Sequence, residues 1–521
     1  MKKSLLIVTI LAGLTLSVSA KEQPNILFLF ADDWGRYAGV YRDYDQAGIS
    51  DVIATPTIDR LARDGVMFTN AFFPVPSCTP CRGAIMTGQY FWRNGRAAFL
   101  GGGDWGPTPG LWEAIPKFPN ILEYLGYHVG YAGKIGVDWW EAHHKTMQPH
   151  QHYTKNGRKF MNFSQNVSGK PDIEAAKQEI YDEVLANFRD FLGAVKTEDQ
   201  PWFFWFGPYN VHRSWIKGSG KELWGIDPDD LEGKMPADWP DVHEVREDLA
   251  DYLGEIMAFD AMCKVLLDEL KRLGIENNTL VVATGDNGIP GFPRAKRNMY
   301  DKGIAAPLIA RWPSDVHGRR VITDFVNIFD LAPTFIEAAG GTPPESMDAR
   351  SLMPQLTNGH SGRIDPNRDH IITGRERHVV PYPMRAIRTE EYLYVRNYQL
   401  ENRPKLPDEP PEELPSDLTR QMDGGPTKEY LFENWRDPDV WALVKLAFDR
   451  RAPEELYDLR KDPDQLVNLA DAPTYADVKA DLSDRLFEVM KAGEDDRIHP
   501  GESKYDRPPY IEADPEKRGK W

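Results

Sequence analysis

The chain has 521 residues and a formal net charge of −18 at pH 7, which excludes nucleic acid as a partner, since phosphate binding wants a basic face. A few local cations can still hold an anionic ligand in a pocket, because a distant acidic surface is screened by salt. Hydrophobic content of 41% and charged content of 27% suit a soluble globular protein, and only three cysteines, Cys78, Cys81 and Cys263, exclude a disulfide scaffold.

Residues 1–20 read as a secretory signal. Lys2 and Lys3 supply the positive start, residues 5–16 the apolar centre, and Val18-Ser19-Ala20 a small-residue cleavage site. The mature chain is expected to be exported, to a bacterial periplasm or beyond the cell, and no cysteine follows the cleavage site to carry a lipid. No other stretch approaches about 18 uninterrupted apolar residues, so no membrane span is expected.

Residues 24–31 form an apolar run ending at Asp32-Asp33, and residues 280–284 another ending at Gly285-Asp286-Asn287. A third, residues 202–207, leads to Pro208-Tyr209-Asn210-Val211-His212. Such runs predict strands buried on both faces of a parallel sheet. Helical patterns at residues 56–64 and about 244–273 lie between them. The alternation predicts an α/β sheet with its polar groups just past the strand ends, where such folds place their sites.

The segment Ser77-Cys78-Thr79-Pro80-Cys81-Arg82 carries the first candidate chemistry. Pro80 suits a first helical turn, which puts Cys78 at a helix N-terminus that welcomes an anion, with Arg82 one turn on along the same face. Cys78 and Cys81 also form a Cys-x-x-Cys pair, and a redox dithiol or a structural disulfide together compete evenly with the anion site on this segment alone. Asp32, Asp33, Asp286 and Asn287 are oxygen donors that suit a hard cation, Ca²⁺ or Mg²⁺, rather than zinc. One such pair after a strand is more often a helix cap; two pairs joined by the Cys78 segment point to metal. Five of the 12 histidines fall between His128 and His152. Their spacing lacks a recognised ligand pattern, and they read as an insertion near the cleft. Asn-x-Ser/Thr sequons begin at Asn162, Asn166 and Asn277.

Composition shifts after about Gly359. Residues 384–388 and 391–395 read as hairpin strands, residues 404–416 as a Pro- and acid-rich surface loop, and residues 475–492 as a late amphipathic helix. The division expected is a catalytic α/β domain over residues 21–364 and a smaller α+β domain over residues 365–521 that completes the cleft.

The Cys-x-Pro-x-Arg pattern at Cys78, Pro80 and Arg82, followed by Thr87-Gly88, resembles the signature of the formylglycine-dependent sulfatases of the alkaline phosphatase superfamily. The resemblance implies a large, mainly parallel mixed sheet flanked by helices. It implies that Cys78 becomes formylglycine (3-oxoalanine) through a formylglycine-generating or anaerobic sulfatase-maturating enzyme, hydrates, and attacks sulfur. It further implies one Ca²⁺, with Mg²⁺ second, held by Asp32, Asp33, Asp286, Asn287 and the modified Cys78. Arg82, Lys134 of Gly133-Lys134, and Lys296 match the cations on the sulfate oxygens, and His212 the proton donor to the leaving group. Gly136 stands where the family commonly has histidine, and Lys302 replaces a usual glycine as an extra contact. The segment from Glu455 to Ala470 also resembles the family, and Asp286-Asn287-Gly288-Ile289-Pro290 and Asn298-Met299-Tyr300 are similar to the heparan N-sulfatase (sulfamidase)-like branch, which includes bacterial polysaccharide sulfatases of the ulvan type. The expected activity is hydrolysis of sulfate esters on a sulfated carbohydrate. N-sulfoglucosamine hydrolysis and a phosphatase or phosphodiesterase of the superfamily are the alternatives, with a non-catalytic carbohydrate-binding or thiol–disulfide protein further off.

Overall fold

The computed structural model describes residues 23–506 except 46, 99–110, 136–151, 198, 416, 417, 419, 500 and 502. The leader, Gly136 and the histidines at 143, 144 and 150 lie outside the described residues.

In chain order the first strands are β1 (Asn25–Ala31), β2 (Val66–Phe68), β3 (Ala71–Phe72), β4 (His128–Gly133) and β5 (Trp202–Gly207). Next come β6 (Thr279–Gly285), β7 (Leu308–Arg311), β8 (Arg320–Ile322) and β9 (Val326–Asn327). The central sheet runs β4-β5-β1-β6-β7-β2-β8. It is parallel from β4 through β6, and β7 is antiparallel to both its neighbours.

Strand β1 sits in the middle because its side chains are apolar on both faces. Ile26, Phe28 and Phe30 join one core, Leu27 and Leu29 the other, as the two-residue period of a strand requires. The first core is closed by α2 (Cys78–Thr87) and α5 (Leu331–Ala338), through Cys81, Ala84, Ile85, Phe335 and Ile336. The second is closed by α1 (Pro56–Asp64), α3 (Ile173–Gly193) and α4 (His243–Leu273). Full burial of each such aliphatic or aromatic side chain stabilises by roughly 1.5–3 kcal/mol, so this double cover makes the sheet a rigid platform.

The C-terminal part is an antiparallel meander of β10 (His370–Arg377), β11 (Pro381–Thr389), β12 (Tyr392–Asn397) and β13 (Glu454–Asp458). The expected hairpin is present, with Met384 opposite Asn397 and Arg388 opposite Leu393. The late helix α6 (Ala476–Ala492) packs Leu482, Leu486 and Met490 on one face of this sheet. The other face packs Met384, Leu393 and Tyr457 against Met299 and Tyr300, just downstream of Lys296. Among the described residues, no helix is long and apolar enough to cross a membrane.

Candidate active site

Four neighbouring parallel strands end at one edge of the sheet, and each delivers a polar group there. Asp32 and Asp33 follow β1, Asp286 and Asn287 follow β6, Lys134 follows β4, and His212 lies in the loop after β5. The turn into Lys134 depends on glycine. A Cβ on Gly133 would lie 2.1 Å from the Gly207 carbonyl, and Gly133 itself adopts a φ of +96°. Asp33 takes a left-handed φ of 58°, and its backbone is pinned by the Tyr252 hydroxyl, which donates to the Asp33 carbonyl at 3.0 Å.

Helix α2 enters the same space. Ser77 is its extended N-cap residue, Cys78 its first residue, and Pro80 stands in the first turn. The Ser77 hydroxyl is engaged by His378 Nδ1 at 2.7 Å instead of capping the helix. Cys81 faces the apolar core, whereas the Cys78 thiol feels the charges of Lys134, Lys296, Asp32 and Asp286. Both thiols are free. Burial pushes the Cys78 thiol up, against the pull of the two lysines, and pushes Cys81 well above its ordinary value. A redox dithiol needs a partly exposed pair, whereas both thiols are buried and Cys81 lies among apolar side chains, so the setting weighs against the redox reading.

Arg82, fully buried, ties the acids together. Its Nε donates to Asp286 at 2.6 Å, Nη2 to Asp32 at 3.0 Å, and Nη1 to the Lys134 carbonyl at 2.7 Å. Lys134 Nζ donates to Asp32 at 2.7 Å, and Lys296 Nζ pairs with Asp33 at 2.7 Å. Burial opposes the charge on Asp32, but Lys134 and Arg82 overcome it and hold the carboxyl well below the usual range. For Asp286 burial prevails over Arg82, and with Asp32 close by its carboxyl is pushed up to about 7. His212 Nδ1 donates to the Arg213 carbonyl at 2.5 Å, so Nε2 is the nitrogen presented to the site, 3.8 Å from Asp33. Tyr209 stacks on His212 at 4.5 Å, and Arg213 anchors the loop through Asp248 of α4 at 2.7 and 2.8 Å.

The donor set fits a hard cation. Among the described residues, Asp32, Asp33 and Asp286 place carboxylate oxygens within 4.8 Å of one another. Asn287 Nδ2 donates to Asp33 at 2.7 Å, while its Oδ1 is buried with no hydrogen-bond partner. An orphaned buried oxygen beside three carboxylates is what a Ca²⁺ or Mg²⁺ ligand set supplies.

All nine candidate residues, Asp32, Asp33, Cys78, Arg82, Lys134, His212, Asp286, Asn287 and Lys296, therefore converge. One expectation changes. Lys302 turns away to Asp238 at 2.9 Å and Asp464 at 3.4 Å, so it is no extra contact. Arg82, expected on the sulfate, spends one N–H of each side-chain nitrogen on the acids and the Lys134 carbonyl. Of the histidine cluster, His128 bonds Tyr153 at 2.9 Å and His152 stacks on Tyr131. Asp423 and His378 were not legible beforehand. Asp423 pairs with Lys296 at 3.7 Å and with Arg297, and both residues reach the site from the C-terminal third of the chain.

Residues 24–341 match the sulfatase family model, and residues 292–424 match the model of the N-sulphoglucosamine sulphohydrolase C-terminal region. Human N-sulphoglucosamine sulphohydrolase is 27% identical, over 91% of both chains. An ulvan-active sulfatase of Formosa agariphila is 28% identical, over 91% of this chain and 82% of its own. Among solved structures, a protein in complex with its substrate D-glucosamine-2-N,6-O-disulfate superposes with a TM-score of 0.61 at 18% identity, over 92% of this chain and 100% of that one. A 2-O GAG sulfatase superposes with a TM-score of 0.59 at 17% identity, over 94% and 98%. With an acidic cluster, three cations and Cys78 gathered at one sheet edge, and with more than half its length matched, the chain belongs to the sulfatase family.

Proposed function

We propose that this sulfuric ester hydrolase removes sulfate from a sulfated carbohydrate, a polysaccharide or its oligosaccharides, with Cys78 as formylglycine and Ca²⁺ beside it. The observation that carries the reading is the start of α2, where Cys78 stands among Asp32, Asp286, Lys134 and Lys296. Relatives named for N-sulphoglucosamine and for ulvan support a sulfated glycan as substrate. The leader at residues 1–20 exports the chain, and a formylglycine-generating or anaerobic sulfatase-maturating enzyme modifies it. Residues 21–364 act as the catalytic domain, with residues 365–521 completing the cleft.

Asp32, Asp33, Asp286 and Asn287 would hold the cation, which when bound offsets carboxylate charge and polarises a sulfate oxygen. The formylglycine side chain supplies a hydrated aldehyde as the attacking group. The remaining work belongs to the chain. Arg82 is a positioning residue that fixes Asp32 and Asp286. Lys134 and Lys296 meet the charge that grows on the sulfate oxygens. His212 in its doubly protonated form, with Nδ1–H on the Arg213 carbonyl, gives its Nε2 proton to the departing sugar oxygen; burial lowers its pKa while Asp33 opposes that shift.

Mass spectrometry of the alkylated tryptic peptide spanning residues 64–82, from a host that matures such enzymes, tests the nucleophile. An aldehyde at Cys78 with an alkylated Cys81 is expected; two intact thiols, or a disulfide, would overturn it. The role of His212 has its own test. His212→Ala should lower kcat on a carbohydrate sulfate by about 10²–10⁴-fold, and on an aryl sulfate by under about tenfold, because a phenolate leaves without a proton. Equal losses on both would remove His212 from the acid role. The match over residues 292–424 favours one second reading, cleavage of an N-sulfate on glucosamine, and parallel assays on N- and O-sulfated glycans separate the two.

A further inference from the structure

Beside the start of α2 the molecule buries more positive charge than this reaction uses. Arg297, Arg375, His378, Arg403 and Arg420 line a narrow, partly open cavity. Arg375 and Arg403 are 4% and 3% exposed, yet neither meets a carboxylate among the described residues. Arg375 donates from Nε to the Tyr382 carbonyl at 3.0 Å and from Nη1 to the Arg297 carbonyl. Arg403 stacks on the Tyr382 ring at 4.3 Å and otherwise reaches the Asn298 amide oxygen at 3.4 Å and the Asp449 carbonyl at 3.5 Å. The buried acid nearby, Glu455, is already held by Tyr300, Tyr457 and Asn397. Arg297 does pair with Asp423, but its Nε is buried without a partner.

Four guanidinium groups and an imidazole thus share the cavity with a single acid partner. Burial depresses Arg403 to about 10, helped by the Arg451 charge, and Arg375 falls well below its ordinary range, again by burial first and then by Arg403 and Arg297. Buried cations are costly unless paired, and the fork of Arg matches a planar or tetrahedral oxyanion. The cavity also adjoins the reacting centre. His378 bonds Ser77, the residue before Cys78, at 2.7 Å, and Arg297 follows Lys296 directly in the chain.

We propose that this cavity is a subsite for a second oxyanion, a sulfate or a carboxylate, carried by the same carbohydrate whose sulfate is removed at Cys78. The inference rests on the sulfatase reading above. The enzyme therefore selects doubly anionic substrates, and the arginines act on affinity while Cys78 and its neighbours act on the bond.

The test compares kcat/KM of the matured, exported enzyme on four substrates: an aryl sulfate, a monosulfated carbohydrate, and that carbohydrate with a second sulfate or with a carboxylate. Wild type is expected to favour one doubly anionic substrate by about 10–100-fold over the monosulfated one, mainly through KM, as a charge-assisted hydrogen bond of ~1.5–3 kcal/mol implies. The preferred second group identifies the oxyanion. Arg375→Gln and Arg420→Gln should each erode that ratio, and Arg375→Lys should recover part of it. Arg420 is exposed, so its replacement tests the subsite without risk to the core. A wild type with no preference for either second group, or variants that keep all of it, would overturn the subsite and leave the sulfatase reading standing. A matured wild type that cleaves no sulfate ester would overturn that reading and this inference with it.

Discussion

Cys78→Ala is expected to lower kcat on aryl and carbohydrate sulfates by about 10⁴-fold or more, because removal of a covalent nucleophile leaves only binding and electrostatics. The fold should survive, since Cys78 lies at the rim of the apolar core and α2 is held by Cys81, Ala84 and Ile85. The informative contrast is Cys81→Ala. That thiol is fully buried among apolar side chains, so its loss should cost about 1 kcal/mol of stability and leave turnover within about threefold. A formylglycine enzyme needs one cysteine; a dithiol enzyme needs both. Turnover measured beside the mass of the residue 64–82 peptide separates the cases. If Cys81→Ala lost activity as completely as Cys78→Ala while still carrying the aldehyde, the assignment of the nucleophile would fail.

The parts legible in the sequence share one physical cause. Strands β1, β5 and β6 are buried on both faces, so each is written as an unbroken apolar run that stops abruptly at the polar residues of the site. Helix α4 announces itself over 31 residues, long enough for its period to show, and Pro80 marks the first turn of α2. Short strands are different. β2 and β8 span three residues each, and β3 and β9 two, too few for any alternation to register. Their positions are set by neighbours in the sheet, not by local pattern.

The site divides in the same way. Asp32, Asp33, Asp286 and Asn287 were visible because strand ends display them. Asp423 and His378 were not, since they arrive from a separate sheet and from a loop without periodicity, and only tertiary packing brings them to Lys296 and Ser77. The partners of Arg82 were hidden for a related reason. Helical spacing puts its side chain on the Cys78 face, but cannot say whether carboxylates or a ligand will meet it there.

Those carboxylates make Arg82 the site's most consequential cation for stability. Arg82→Met is expected to destabilise the protein by about 3–5 kcal/mol, because it leaves two fully buried acids, Asp32 and Asp286, without their shared partner. The two acids should respond differently. Asp32 keeps Lys134 at 2.7 Å, whereas Asp286 loses the Arg82 Nε that holds it at 2.6 Å. With that carboxylate no longer fixed beside Asp32 and Asp33, Ca²⁺ should bind about 10–100-fold more weakly in the variant. Wild type saturated to 100 times its Kd should gain about 2.7 kcal/mol from Ca²⁺ and lose it to a chelator, and the variant should gain visibly less. Arg82→Lys restores the charge without the fork and should fall between them, since one ammonium group cannot span Asp286, Asp32 and the Lys134 carbonyl together. Thermal unfolding with and without Ca²⁺ decides the matter. An Arg82→Met protein that melts with wild type and shows the same Ca²⁺ shift would mean that neither the stability of the site nor the placement of its carboxylates depends on Arg82.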